Sequence, residues 1–178
     1  MPWHAVRSPS LPSSAVLLRT ALGGLFAFTG FSAPPASARL PDPLPKRVAM
    51  RAPLAGAQQS GFGYRWGRMH WGVDLDAYSN TVVRSALPGV VTRVGWLPNY
   101  SGYGRVVIIR HRGRLETMYA HLARALVKRG EAVPIGQVIG VAGCTGSCTG
   151  THLHFEVHVR GKAVDPLRYL GRAVRRLG

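Results

Sequence analysis

The chain has 178 residues, with 23 Lys and Arg against 7 Asp and Glu, for a formal net charge of +16. This length fits one domain able to bury its own core, and 46% hydrophobic against 17% charged residues excludes a fully disordered chain. Its 22 glycines and the lack of a sustained heptad exclude a coiled coil or long helical array.

In chain order, residues 1–38 carry no acid and two basic side chains, Arg7 and Arg19, ahead of an apolar stretch from Thr20 to Ala33. Ala36-Ser37-Ala38 closes the segment with small residues at the positions a signal peptidase reads, so 1–38 is expected to be a cleaved secretory signal. The apolar stretch falls short of the ~20 residues a membrane span needs, which predicts no stable membrane insertion after cleavage. Without 1–38, 21 basic and 7 acidic side chains leave 21 − 7 = +14. Export makes nucleic acid a poor partner and an anionic envelope polymer a better one, unless the charge only reflects a generally basic proteome.

Residues 39–52 (RLPDPLPKRVAMRA) read as a Pro-rich linker. From Pro53 the texture changes to short β-branched or aromatic runs bounded by turn residues: 82–86, 89–96, 105–111, 115–122, 138–143 and 152–159. Such spacing predicts a mainly β, compact antiparallel sandwich or barrel-like single domain over 53–170. Helix is expected only at Ala123–Val127 and in the basic tail, 171–178.

Two histidine clusters carry the chemistry. His70 and Asp74 lie four apart around Gly72, an arrangement that lets two ligands converge where a strand enters a turn. In HLHFE, strand alternation puts His152, His154 and Glu156 on one face and Leu153, Phe155 and Val157 on the other. Imidazoles and a carboxylate on one apolar-backed face suit zinc, which accepts such ligands and keeps a position open for water in catalytic sites. Asp76, two residues beyond Asp74, is the rival ligand. Trp66 and Trp71 bracket the first cluster, as groove or as packing. Tyr64 and Tyr119 are possible hydrogen-bond donors at the site, His111 reads as a surface or turn histidine, and His158 lies too far along its strand to reach the metal. Cys144 and Cys148, four apart ahead of His152, are expected to form a disulfide in an exported protein.

GFGYR (61–65), HWGVDL (70–75), TMYAHL (117–122) and GTHLHFEV (150–157) together resemble the LytM/lysostaphin family of zinc endopeptidases that cut peptidoglycan. The resemblance implies one zinc ion per chain held by His70, Asp74 and His154, with His121 and His152 as the catalytic histidines and peptidoglycan as partner. No HExxH helix offers a glutamate base, so histidine must do the acid/base work, and the sequence leaves open which of the two is the base. Glu156 reads as a carboxylate orienting a ligand imidazole, or else as a solvated charge. Only RWGRM separates Tyr64 from His70, which predicts an open groove on that side. The expected protein is a monomer acting in the periplasm or outside the cell. The alternative is a non-catalytic wall-binding regulator that activates a separate amidase.

Overall fold

The computed structural model describes residues 48–170. The expected signal (1–38), most of the expected linker and the basic tail with its expected helix lie outside the described residues. The strands are β1 (Gln58–Ser60), β2 (Gly63–Arg65), β3 (Arg68–His70), β4 (Val73–Asp76), β5 (Val82–Arg84), β6 (Gly89–Trp96) and β7 (Arg105–Arg110). They continue with β8 (Leu115–Ala120), β9 (Arg124–Ala125), β10 (Ala132–Val133), β11 (Val138–Val141), β12 (His152–Val159) and β13 (Lys162–Val164), followed by a short helix α1 (Leu167–Leu170). Every pairing between them is antiparallel. The main sheet runs β1-β4-β12-β8-β7-β6-β10 with β13 beside β12, and it stays open, with β1 and β10 at its edges. A three-stranded sheet, β5-β11-β9, and the β2–β3 hairpin complete the mainly β fold.

The six β-rich runs all contain strands, and the bounds of β6 and β12 are those the sequence predicts. Alternation decides what each face meets. Val107 and Ile109 of β7, Tyr119 of β8 and Leu153, Phe155 and Val157 of β12 are fully buried in the main core, together with Val83 and Ile139 of the smaller sheet. The other face of the main sheet is covered locally: Val106, Ile108, Met118 and Ala120 pack beneath Leu97 and, from the 3-10 segment Pro98–Tyr103 that follows it, Tyr100 and Tyr103. Beside that cluster, on the same face, lie His154 and Glu156.

Three expectations are corrected. Ala123–Val127 is not helical: Ala123 N and Leu126 N donate to Val141 O and Ile139 O, both at 2.9 Å. A waiting strand edge satisfies these donors better than a helix too short to repay its nucleation. Met50 is no linker residue either; its side chain is in the core, and its N–H donates to Tyr169 O at 3.0 Å. His111 is buried, its ring nitrogens bonded to Pro88 O (2.9 Å) and Thr117 Oγ1 (2.8 Å).

Burial holds the His111 pKa below its ordinary 6.5, overcoming the Pro88 hydrogen bond that raises it. The unfolded chain therefore takes up this proton more readily than the folded one. The resulting stability is complete above about pH 6.5 and declines as the pH falls below it. In calorimetry, His111→Gln is expected to flatten part of the fall in melting temperature between about pH 7 and about pH 5. An unchanged slope would remove His111 as a source of acid lability.

Candidate metal centre and groove

The site is assembled by strand register. Asp74 of β4 lies directly across from His154 of β12, so both side chains project from the same face. His70 ends β3 and comes in from the hairpin. His70, Asp74 and His154 each offer a ligand atom, all within 4.8 Å of one another. Asp76 is not in this group: it pairs with His152 in register, and its Oδ1 accepts a bond from Gln59 Nε2.

The outer partners fix which nitrogens face inward. His70 Nδ1 lies 2.6 Å from Gly61 O and His154 Nε2 lies 2.9 Å from Glu156 Oε1. These oxygens only accept, so the inner atoms, His70 Nε2 and His154 Nδ1, are left with lone pairs in the neutral rings. They stand 3.0 Å apart, and Asp74 Oδ1 lies 3.2 Å and 2.9 Å from them. Ligands about 2.0–2.1 Å from a tetrahedral zinc are about 3.3 Å apart, so the donor set fits that ion in type and spacing.

A proton is the competing occupant. Burial opposes charging His154, but its hydrogen bonds to Asp74 and Glu156 outweigh burial and hold its pKa above the ordinary histidine value. Burial likewise opposes ionisation of Asp74 and Glu156. For Asp74, the hydrogen bonds from His154 and His70 reverse the effect and hold the carboxyl well below the usual range. His154, His158 and Tyr103 bring Glu156 down to about 2.

Glu156 is thus buried and ionised, bonded by His154, by His158 Nε2 and by Tyr103 Oη at 2.8 Å. Burial and the neighbouring Glu156 charge push the Tyr103 hydroxyl pKa far up, so it remains a donor. No local pattern in the sequence marks Tyr103, because 53 residues separate it from its partner. His158 does not approach the ligand atoms but bonds the carboxylate that supports one of them.

Beside the three ligands stand the other two histidines, with ring centroids 4.7 Å apart. His121 Nδ1 donates to Thr145 O and His152 Nδ1 to Gly150 O, each at 2.8 Å. In the neutral rings, both Nε2 atoms are therefore acceptors. Burial lowers the His121 pKa against the Thr145 hydrogen bond, which favours the neutral ring. His121 sits at φ 59°, an uncommon backbone region for a residue other than glycine. Cys144 and Cys148 are disulfide-bonded within the loop that carries both carbonyls.

All five histidine and aspartate positions line one groove of about 630 Å³, with Arg65, Trp66, Arg68 and Trp71 on its hairpin side. Tyr119 is not there. Its hydroxyl is buried in the core, where it accepts from Ala86 N at 2.8 Å. Tyr64 is exposed and lies outside the groove lining.

These three side chains could hold a metal ion in an antiparallel β domain, and comparison with known proteins gives the chain a family. The chain belongs to Peptidase family M23, whose family model matches residues 68–166; the resemblance to LytM/lysostaphin peptidases holds. It is 43% identical over 115 residues to the DD-carboxypeptidase/endopeptidase Mpg of Neisseria meningitidis serogroup B, covering 61% of this chain and 26% of that protein. The chain thus spans about a quarter of the length of this curated relative. The solved catalytic domain of lysostaphin from Staphylococcus simulans aligns at 34% identity with a TM-score of 0.59, covering 65% of this chain and 92% of that one. A zinc containing peptidase from Vibrio cholerae aligns at 35% identity with a TM-score of 0.53, covering 65% of this chain and 36% of the other.

Gly72 has a packing reason to be glycine. A Cβ there would meet Phe155 O at 2.4 Å, and Glu156 Cγ and His154 Nε2 at 2.9 Å. Gly72→Ala is expected to destabilise the fold by about 1–3 kcal/mol through overpacking. By disturbing the His154–Glu156 bond it should also weaken zinc binding by about tenfold or more. Competition with a chelating dye measures the second effect, and wild-type affinity in the variant would refute it.

Proposed function

We infer that the protein is a zinc endopeptidase that hydrolyses peptide crosslinks or stem-peptide amides of peptidoglycan outside the cytoplasm. The observation that carries this reading is the convergence of three lone-pair donors on one point, with two further acceptor imidazoles beside it. Peptidase M23 membership and the export-like composition of residues 1–38 support it. No described helix is long and apolar enough to cross a membrane.

His70 Nε2, Asp74 Oδ1 and His154 Nδ1 would hold the zinc. Bound there, the ion supplies a water of lowered pKa and polarises the scissile carbonyl. His121 and His152 offer Nε2 toward the same space. One takes the proton of the attacking water, and the pair returns a proton to the leaving amine or hydrogen-bonds the developing oxyanion. Asp74 Oδ1 lies 3.8 Å from His152 Nε2, which places that ring beside the three ligand atoms. Glu156 and Gly61 O hold the two ligand imidazoles in orientation.

Purified protein incubated with peptidoglycan sacculi is expected to release fragments with new amino termini by mass spectrometry, and a chelator should abolish the release. His121→Ala and His152→Ala should each lower the rate by about 10²–10⁴-fold while binding one zinc per chain. Release that persists in chelator would defeat the metal mechanism. No release from walls of either crosslink type by zinc-loaded protein would favour a non-catalytic wall-binding regulator instead.

A further inference from the structure

The metal ligands and groove histidines leave one wall of the groove without a role, the β2–β3 hairpin. Arg65 and Arg68 face each other directly across its two strands, and both line the groove. Like charges directly opposed in an antiparallel pair are destabilising. Asp74 is the one acidic residue in the groove lining; its Oδ2 takes Arg65 at 3.3 Å, while its Oδ1 faces the ligand imidazoles. Arg68 is exposed, and no ion pair holds it among the described residues.

The turn joining the strands is equally costly. Trp66 and Gly67 have φ of 46° and 79°, a two-residue turn with both central residues left-handed, which favours Asn, Asp or Gly in the first position. A tryptophan there is strained. It gains no burial in return, since Trp66 is 85% exposed, with the Arg65 guanidinium carbon 5.1 Å from its ring centroid. Neither turn chemistry nor packing accounts for an Arg-Trp-Gly-Arg tip, whereas an anionic ligand lying in the groove would neutralise the pair and cover the ring.

We propose that Arg65 and Arg68 form a carboxylate-binding subsite, so that the preferred substrate is a peptide crosslink bearing a free carboxylate close to the scissile amide. The proposal rests on the peptidoglycan endopeptidase reading above and narrows its substrate. A guanidinium presents paired N–H donors that match a carboxylate. Arg65 keeps donors to spare after its contact with Asp74, and Trp66 offers a flat apolar face to the peptide stem.

The test uses two synthetic crosslinked peptides that differ in one group, a free carboxylate or its carboxamide beside the scissile amide. Zinc-loaded wild type, Arg68→Gln and Arg68→Lys are compared by kcat and KM. KM for the carboxylate peptide is expected to be about tenfold lower, the scale of one hydrogen bond to a charged group. Arg68→Gln should erase that difference by raising KM on the carboxylate peptide alone, and Arg68→Lys should restore part of it. Equal KM values in wild type, or a rise on both peptides alike in Arg68→Gln, would overturn the subsite and leave the endopeptidase reading standing. Failure to cut either peptide, together with no release from sacculi, would overturn that reading and the subsite with it.

Discussion

The pairing of β4 with β12 is the constraint from which the site follows. It sets Asp74 opposite His154, and a one-residue slip would turn either side chain to the other face. That register is held from behind. Val73 and Leu75 on β4, and Leu153 and Phe155 on β12, are fully buried in the core, so a slip of either strand would turn two buried apolar side chains out of it. Hydrophobic burial, which has no direction of its own, thereby fixes a directional donor set to within the spacing a small cation needs.

The proposed metal half and proton-transfer half of the groove are supported differently. His154 is braced by a buried carboxylate that is itself held by Tyr103 and His158. His121 and His152 depend instead on one loop, through Thr145 O and Gly150 O. Thr145 is tied down further: its hydroxyl accepts from Arg105 N at 2.9 Å and donates to Leu122 O at 3.0 Å. The Cys144–Cys148 disulfide closes the same loop. The covalent clip encloses Thr145 and ends two residues before Gly150, so it limits the freedom of the segment whose carbonyls select the tautomers of the two rings.

What could be read from the sequence follows the range of the forces involved. β6 and β12 were legible because alternation and β-branched content are local. So was the sharing of one face by His152, His154 and Glu156. β1, β2 and β3 (QQS, GYR and RMH) were not, since such residues become strands only by finding a partner edge. Ala123–Val127 went astray for the same reason. His111 read as a surface residue because Pro88 and Thr117, which enclose it, are set by the packing of the main sheet and not by neighbours in the chain. At the site, HxxxD and HxH are short-range patterns, while Tyr103 on Glu156 and Arg65 on Asp74 are contacts that only the folded chain creates.

At the hairpin tip Trp66 departs from local backbone preference without a packing reward. His121 also carries a left-handed backbone, but its N–H donates to Tyr103 O and its ring is enclosed, so the surrounding structure over-determines it. Trp66 has no such enclosure. Strain that neighbours enforce serves to hold a group still, as at His121. Strain that persists at an exposed tip, between two opposed arginines and on the lip of a groove, has its compensation outside the chain. What separates Arg65 and Arg68 from the domain's general positive charge is their place, directly opposed across a strand pair on the groove wall, where a carboxylate would relieve their repulsion.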